Sequence, residues 1–409
     1  MTHRVAVTGC GVVSAIGNSF DDLAKALRSG QSGVRLAAST ARHRVTVAAC
    51  PLLESTDLEL STTERALFDP VSRYTVLAAE QALAQSGLAN DPERRRAAAL
   101  YMGTALGGVH SMEDAYRDIW YHGAPPKPLT IVCSMSNAPA AHIAIRFGIQ
   151  GPNITYSVAC ASSAIAIGEA FHAIREGRVP CAIAGGAEAC VTTGVVRSWQ
   201  AMRVLASADR CAPEETCRPF SRDRTGIVLG EGAAVLILER LDDAIRRSAP
   251  ILCELVGFAA NADATHVCIP ALEGQALAMA GALADAQLPP ESIDYLNAHG
   301  TATRAGDITE TRAIRQAFGN HADALAVSST KSVHGHLLGA AGALELAVCI
   351  AALRERLLPA TMHLRQQDAE CDLDFVANAP RAGVEIRRVM SNSFAFGGSN
   401  AVLVAARVD

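Results

Sequence analysis

Aromatic side chains make up only 4% of this chain, with two tryptophans among 409 residues. Large rings therefore cannot fill the interior. Alanine is abundant and there are 32 glycines, which points to elements packed closely through small side chains. Runs of one charge are missing too. The net charge is −5 and no Lys/Arg block stands out, so nucleic acid is a poor partner. The twelve cysteines lie singly, without a CxxC pair, and read as reduced thiols packing mostly as small hydrophobes.

The opening stretch MTHRVAVTGCGVV has no basic leader, long apolar core or small-residue cleavage site, so export is not expected. The most membrane-like run, Leu337 to Leu353, is slightly short and contains Glu345. A buried helix at the centre of a large domain is the expectation. Together these features predict a cytoplasmic protein with a sizeable core.

No low-complexity tract or linker divides the chain, but a faint internal echo does. Residues 98–104 (AALYMGT) and 293–301 (IDYLNAHGT) both read as apolar strands ending in Gly-Thr. Residues 230–240 (GEGAAVLILER) find a counterpart in 397–407 (GGSNAVLVAAR), each a glycine turn feeding a strand. Helical spacing recurs at 20–28, 73–87, 162–176, 274–287, 307–318 and 340–354. Strands alternating with helices predict an α/β layered architecture, with a fold used twice and a site where the halves join.

Cys160 is the first candidate functional residue. Residues 154–159 can form a strand and Ser162 onward a helix, which puts the thiol at the turn between them. Unpaired N–H groups at a helix start would favour a thiolate and could hold an oxyanion, so a lowered thiol pKa is expected. A cysteine in an Ala-rich segment is also ordinary packing, so its partners decide. Two segments offer them: Asn297-Ala-His299-Gly-Thr301-Ala-Thr303, following a strand, and Thr330-Lys331-Ser-Val-His334-Gly-His336, leading into the apolar helix.

With VACASS around Cys160, NAHGTAT around His299, TKSVHGHLLGAAG around Lys331 and His336, and NSFAFGGSN at 392–400, the chain resembles an elongating β-ketoacyl-acyl-carrier-protein synthase, of the type found in type II fatty acid and polyketide systems. The resemblance runs over nearly the whole chain. It implies a thiolase-like five-layered α-β-α-β-α fold of two βαβαβαββ halves. Residues 1–245 would carry the cysteine, and residues 246–409 the two histidines and a glycine-rich gating loop. The implied reaction is decarboxylative Claisen condensation of a Cys160-bound acyl group with malonyl-carrier protein, in fatty acid or, preferentially, polyketide/polyene biosynthesis.

By the same resemblance, His299 and His336 stabilise the malonyl thioester oxygen, and Phe396 gates the site and offers its backbone N–H. Gly397 and Gly398 permit close backbone approach there. Lys331 organises the site, through Glu310. Thr301 and Thr303 contact pantetheine. Leu106 and Trp199 line the acyl tunnel, and Cys268 stands where a threonine is common. Arg65, Lys127 and Arg203 are candidate contacts for an acidic acyl carrier protein.

No cofactor is implied beyond the carrier's phosphopantetheine arm. The chain would dimerise, with a second copy or with a chain-length-factor-like subunit. His334 replaces a usual small or hydroxyl residue. Its H-x-H spacing with His336 admits a zinc reading, disfavoured because no other ligand cluster lies nearby, and no metal is expected. The alternatives are a non-catalytic chain-length-factor-like partner and a thiolase-type acyltransferase. A thiolase would need a second cysteine in the 392–400 segment, which has none.

Overall fold

A computed structural model describes residues 2–37, 45–48, 60–207 and 211–408. Strands β1 (Val5–Ser14), β2 (Ala99–Gly103), β3 (Asn153–Tyr156), β4 (Cys181–Glu188) and β5 (Gly232–Arg240) lie in the order β3-β2-β4-β5-β1. Strands β6 (Cys253–Ala262), β7 (Tyr295–Asn297), β8 (Ala326–Ser328), β9 (Arg388–Phe394) and β10 (Ser399–Ala406) continue the same sheet in the order β6-β10-β9-β7-β8. Read outward from the middle, each half places its first, fifth, fourth, second and third strand in turn. The pattern of antiparallel inner and parallel outer pairs is also the same in both. The halves join where β1 and β6 pair over Val5–Val7 and Cys253–Leu255. This duplication is the structural form of the echo in the sequence.

Helices supply the other layers. Helix α1 (Pro70–Ser86) covers β1, β4 and β5 from outside, and α3 (Leu272–Ala286), backed by α4 (Arg304–Phe318), covers β6 and β10. Between the two halves of the sheet lie α2 (Ser162–Arg175) and α5 (Ala341–Glu355), packed on each other and on strands of both halves. The architecture is the layered, thiolase-like α/β fold that the motifs imply. Every residue of α5 from Ala341 to Leu353 is buried, so it shows no polar face. Each large aliphatic in it, such as Leu344 or Ile350, contributes ~1.5–3 kcal/mol by leaving water. No helix among the described residues is long and apolar enough to cross a membrane. Three further helices, Val109–Tyr121, Ala138–Phe147 and Thr193–Ala201, did not stand out in the sequence.

Small residues let these layers close. A Cβ on Gly103, at the end of β2, would lie 2.3 Å from Ser163 N, inside the first turn of α2. A Cβ on Gly342 would lie 2.8 Å from the Cβ of Ala164. Gly103 and Gly342 thus fix the depth at which the helix following Cys160 sits. Replacing Gly103 with valine should cost ~1–3 kcal/mol or more in urea denaturation, because a backbone atom and not a mobile side chain occupies the space. An unchanged midpoint would show that α2 has slack there.

Candidate active site

Cys160 follows β3 by four residues and precedes α2. Ala159 is held at φ 43°, a region costly for a residue with a Cβ. Ser162 secures this turn: its Oγ donates to Ala159 O at 2.6 Å and accepts from Val158 N at 2.8 Å. The strained corner delivers the sulfur to the floor of a cavity of about 390 Å³.

The histidines arrive from the other half, on the loops after β7 and β8. His336 Nε2 lies 3.0 Å from Cys160 Sγ. The His299 and His336 rings stand edge to face, with centroids 5.2 Å apart and planes at 86°. One ligand atom from each of Cys160, His299 and His336 falls within 4.8 Å of the others.

The loop carrying His299 is clamped from beneath by carboxylates. Glu310, on α4, accepts from His299 N at 2.8 Å, Gly300 N at 2.7 Å and Asn392 Nδ2 at 3.2 Å. Asp307 accepts from Ala302 N at 3.1 Å and lies 3.1 Å from Arg224 Nε. These bonds support Ala302, at φ 63°, in a conformation alanine seldom adopts. The loop carrying His336 is fixed by backbone bonds: His336 N donates to Val228 O at 2.7 Å and Gly230 N to His336 O at 2.8 Å.

Lys331 is fully buried and forms an ion pair with Glu345 of α5. The expected link to Glu310, which braces backbone, is through space: burial pushes the Glu310 carboxyl up, and the Lys331 charge is among the groups that pull it down. Lys331 does not line the cavity either, and it bears on the two rings through its charge. Its charge, together with burial, explains the state of both rings. Desolvation first, and the Lys331 field second, push His299 and His336 well below the usual histidine range. Glu345 itself is pushed up to about 7, by burial against the pull of Lys331.

The expected low-pKa thiol is overturned. Burial pushes Cys160 up to about 12, and the lowering by Lys331 and by the Phe396 backbone N–H does not offset it. The resting pair is therefore a neutral thiol beside a neutral imidazole. The Nδ1 atoms of His299 and His336 are buried with no hydrogen-bond partner among the described residues. Nothing thus locks either ring to one tautomer, and Nε2 can serve as acceptor in one form and donor in the other.

Most other expected residues converge on the cavity. Trp199, Cys268, Thr301, Thr303, Phe396 and Gly398 line it. The Trp199 and Phe396 rings stack at 5.8 Å and 25°. Thr303 also caps α4, accepting from Gly306 N at 3.3 Å. Gly397 and Gly398 are both in the left-handed region, at φ 89° and 77°. Gly397 is not a lining residue, and a Cβ there would meet nothing within 4 Å, so its requirement is conformational. Cys268 is exposed at the rim, its N–H donating to His266 Nδ1 at 3.0 Å.

Leu106 stands outside the cavity formed by this chain alone. Its N–H donates to Glu188 Oε1 at 3.2 Å, while the residue is 38% exposed and does not line the cavity of this chain. Arg203 is exposed and sits between two lining residues, Met202 and Val204. Lys127 lines a different depression, with Asp69 and His110, and is absent from the main cavity. The side chain of Arg65 lies outside the described residues. His334 makes no zinc ligand, because both its ring nitrogens are bonded within the protein.

Three carboxylates went unassigned in the sequence: Asp307, beneath Ala302, and also Glu188 and Glu345. Glu188, at the end of β4, accepts from Ala105 N at 2.7 Å and Gly339 N at 3.1 Å, tying together loops from both halves. Glu345 was visible as a lone acid in an apolar run, but nothing in the spacing pointed to Lys331.

A thiol held against two imidazoles, in a layered fold built from two like halves, defines a condensing enzyme of thiolase-like architecture. The chain belongs to the beta-ketoacyl synthase family: residues 2–244 match the model described as beta-ketoacyl synthase, N-terminal domain, and residues 252–365 match the C-terminal domain. It is 39% identical to Nodulation protein E of Rhizobium leguminosarum bv. trifolii, with 100% of both chains covered. It is 38% identical to 3-oxoacyl-[acyl-carrier-protein] synthase 2 of Coxiella burnetii, with 99% of each covered. Among solved structures, a beta-ketoacyl synthase from Burkholderia phymatum superposes with a TM-score of 0.92 at 34% identity, and the ishigamide ketosynthase/chain length factor with 0.91 at 31%, all over 100% of both chains.

The raised thiol pKa has a direct consequence. Burial favours the protonated form, so the thiolate fraction grows as pH climbs toward about 12. Alkylation of Cys160, followed by peptide mass analysis, should keep accelerating about tenfold per pH unit between roughly pH 9 and 11. A plateau below pH 9 would mean that the resting sulfur is already ionised.

Proposed function

We propose that this enzyme joins a Cys160-bound acyl group to a malonyl unit carried by an acyl carrier protein, releasing CO2 and giving a 3-oxoacyl-carrier protein. The observation that carries the reading is the meeting of Cys160, His299 and His336 within 4.8 Å at one cavity. In this reading the N-terminal half, 1–245, supplies the nucleophile, and the C-terminal half, 246–409, the imidazoles and the gating loop.

The acyl thioester enters first. The Cys160 thiol proton passes to His336 Nε2 as sulfur attacks the carbonyl, and leaves with the departing pantetheine thiol. Malonyl thioester then binds with its carbonyl oxygen toward both rings. Cleavage of the carbon–carboxylate bond leaves its electron pair in an enolate, whose oxygen accepts from Nε2–H of His299 and His336. Because burial keeps these rings neutral, they donate hydrogen bonds without forming an ion pair with the carboxylate that must leave. Loss of one such donor typically slows a reaction ~100- to 1,000-fold.

The nucleophilic carbon next attacks the acyl carbonyl. The oxyanion lies between the Cys160 and Phe396 backbone N–H groups, and its collapse expels the Cys160 thiolate, which takes up a proton. Thr301 and Thr303 face the pantetheine arm, and the apolar wall beside Trp199 receives the acyl chain. Phe396 acts as a gate, released when an acyl chain displaces its stacking against Trp199. Arg203, exposed beside the mouth, is the carrier contact best supported by position.

A second subunit belongs to this reading. Among the described residues the edge of the sheet at β3 is open and Ile154 on it is exposed; Trp120, Tyr121 and Ile131 are exposed as well. Such a face suits a homodimer or a heterodimer with a chain-length-factor-like partner. Exposed Leu106 would then complete the tunnel from the subunit interface. A solved type II PKS ketosynthase in complex with its acyl-carrier protein, 27% identical with a TM-score of 0.92, supports a polyketide-type acyl chain. Substrates on a soluble carrier and reduced thiols suit the cytoplasm. With the nucleophile and both rings present, the reading as a non-catalytic partner has no observation in its favour.

Intact-mass analysis with a panel of acyl-carrier thioesters should find one acyl adduct, on Cys160, and Cys160→Ala should abolish condensation. His299→Ala and His336→Ala should each lose malonyl decarboxylation ~100-fold or more. Normal malonyl consumption in both histidine variants would remove their assigned role.

A further inference from the structure

His334 is fully buried and bonded on both sides of its ring. Its Nδ1 lies 2.7 Å from Gly335 O. A carbonyl can only accept, so Nδ1 carries the hydrogen and, in the neutral ring, Nε2 is an acceptor. Thr330 Oγ1, 2.9 Å from Nε2, therefore donates to it. That leaves the Thr330 oxygen to accept from Asn297 Nδ2 at 3.2 Å, and Asn297 Nδ2 also donates to Tyr295 Oη at 3.0 Å. The hydrogens run in one direction, from Asn297 through Thr330 to His334, while the second ring nitrogen donates to Gly335.

The two ends of this chain are the places that matter. Asn297 closes β7 two residues before His299. Gly335 O belongs to the peptide bond leading into His336, and the N–H of that same peptide donates to Val228 O at 2.7 Å. The peptide is thus gripped by His334 on its oxygen and by Val228 on its nitrogen. Gly335, at φ 69°, also donates its own N–H to Lys331 O at 2.9 Å, so what His334 adds is the hold on the carbonyl. A side chain with one hydroxyl cannot reach Thr330 and Gly335 together, whereas an imidazole presents a nitrogen to each.

We propose that His334 is a positioning residue that fixes the His336 ring relative to His299 and Cys160, by linking the loop after β7 to the peptide in front of His336. It touches no reacting atom and lines no part of the cavity. The inference rests on the condensation reading above and adds to it a determinant of geometry between the two imidazoles. A displacement of about 1 Å between catalytic groups can cost ~100-fold in rate.

The test uses the full-length enzyme with malonyl-carrier protein, measuring kcat and KM for CO2 release, with thermal unfolding as a control. His334→Ala should lower kcat ~10- to 100-fold with KM unchanged within about a factor of two. His334→Asn puts an amide N–H where Nδ1 stood and should restore much of kcat. His334→Gln reaches Thr330 but leaves Gly335 O without its donor, and should stay close to alanine. Wild-type kcat in a folded His334→Ala would overturn the proposal, and so would equal recovery by Asn and Gln, or none by either. If alanine does not fold, the comparison of Asn with Gln decides alone. Absence of CO2 release by the wild-type enzyme would instead count against the condensation reading itself.

Discussion

Burial keeps the Cys160 sulfur and the two imidazoles uncharged, and the surrounding structure is arranged to make that state reactive. In water a thiol and two histidines would exchange protons with solvent. Here the rings are held neutral, the thiol holds its proton, and the closest base to the sulfur is a nitrogen 3.0 Å away. Lys331, the cation whose charge bears on both rings, is paired with Glu345 in the middle of a helix with no polar face. Removing Glu345 would leave the Lys331 charge unpaired in the interior, at a cost of ~3–5 kcal/mol. The Lys331 charge lowers the proton affinity of both rings without supplying a proton to the reaction.

The duplicated fold explains how groups so far apart in sequence meet. Each half contributes one buried helix to the central layer, and each delivers its chemistry from loops that follow its outermost strands. The first half turns sharply at Ala159 and presents the sulfur at the start of α2. The second half sends out two loops, after β7 and β8, that carry the imidazoles back over that sulfur. Glycines at 103 and 342 allow α2 and its surroundings to close to backbone contact, which sets the sulfur's depth. Carboxylates then do the local holding: Glu310 under His299, Asp307 under Ala302, and Glu188 across the join between halves.

Much of this was legible in the sequence for physical reasons. Apolar strands ending in Gly-Thr and glycine turns feeding strands recur because each half repeats the same strand order. The run from Leu337 read as a central helix because a lone Glu345 and the flanking His336 and Arg354 are incompatible with a membrane span of that length. Cys160, His299 and His336 stood out because ionisable groups in Ala- and Gly-rich loops need a reason to be there.

What the sequence hid were properties of approach and not of composition. The local rule that a helix start lowers a thiol's pKa lost to desolvation, which depends on everything packed around Cys160. The direct partner of Lys331 lay in the next helix, on Glu345, while Glu310 feels its charge only through space. Leu106 points to the same limit: its position in a glycine loop suggested a tunnel wall, but the wall of a single chain stops short of it.

The central claim is that a substrate carbonyl seated over Cys160 meets both imidazoles at once. A crystal structure of the enzyme with a non-cleavable malonyl-pantetheine analogue would test it most directly. The account requires the carbonyl oxygen to lie ~3 Å from a ring nitrogen of His299 and of His336 together, with the malonyl carbon facing the sulfur. An ordered analogue whose oxygen is turned away from either ring would contradict it.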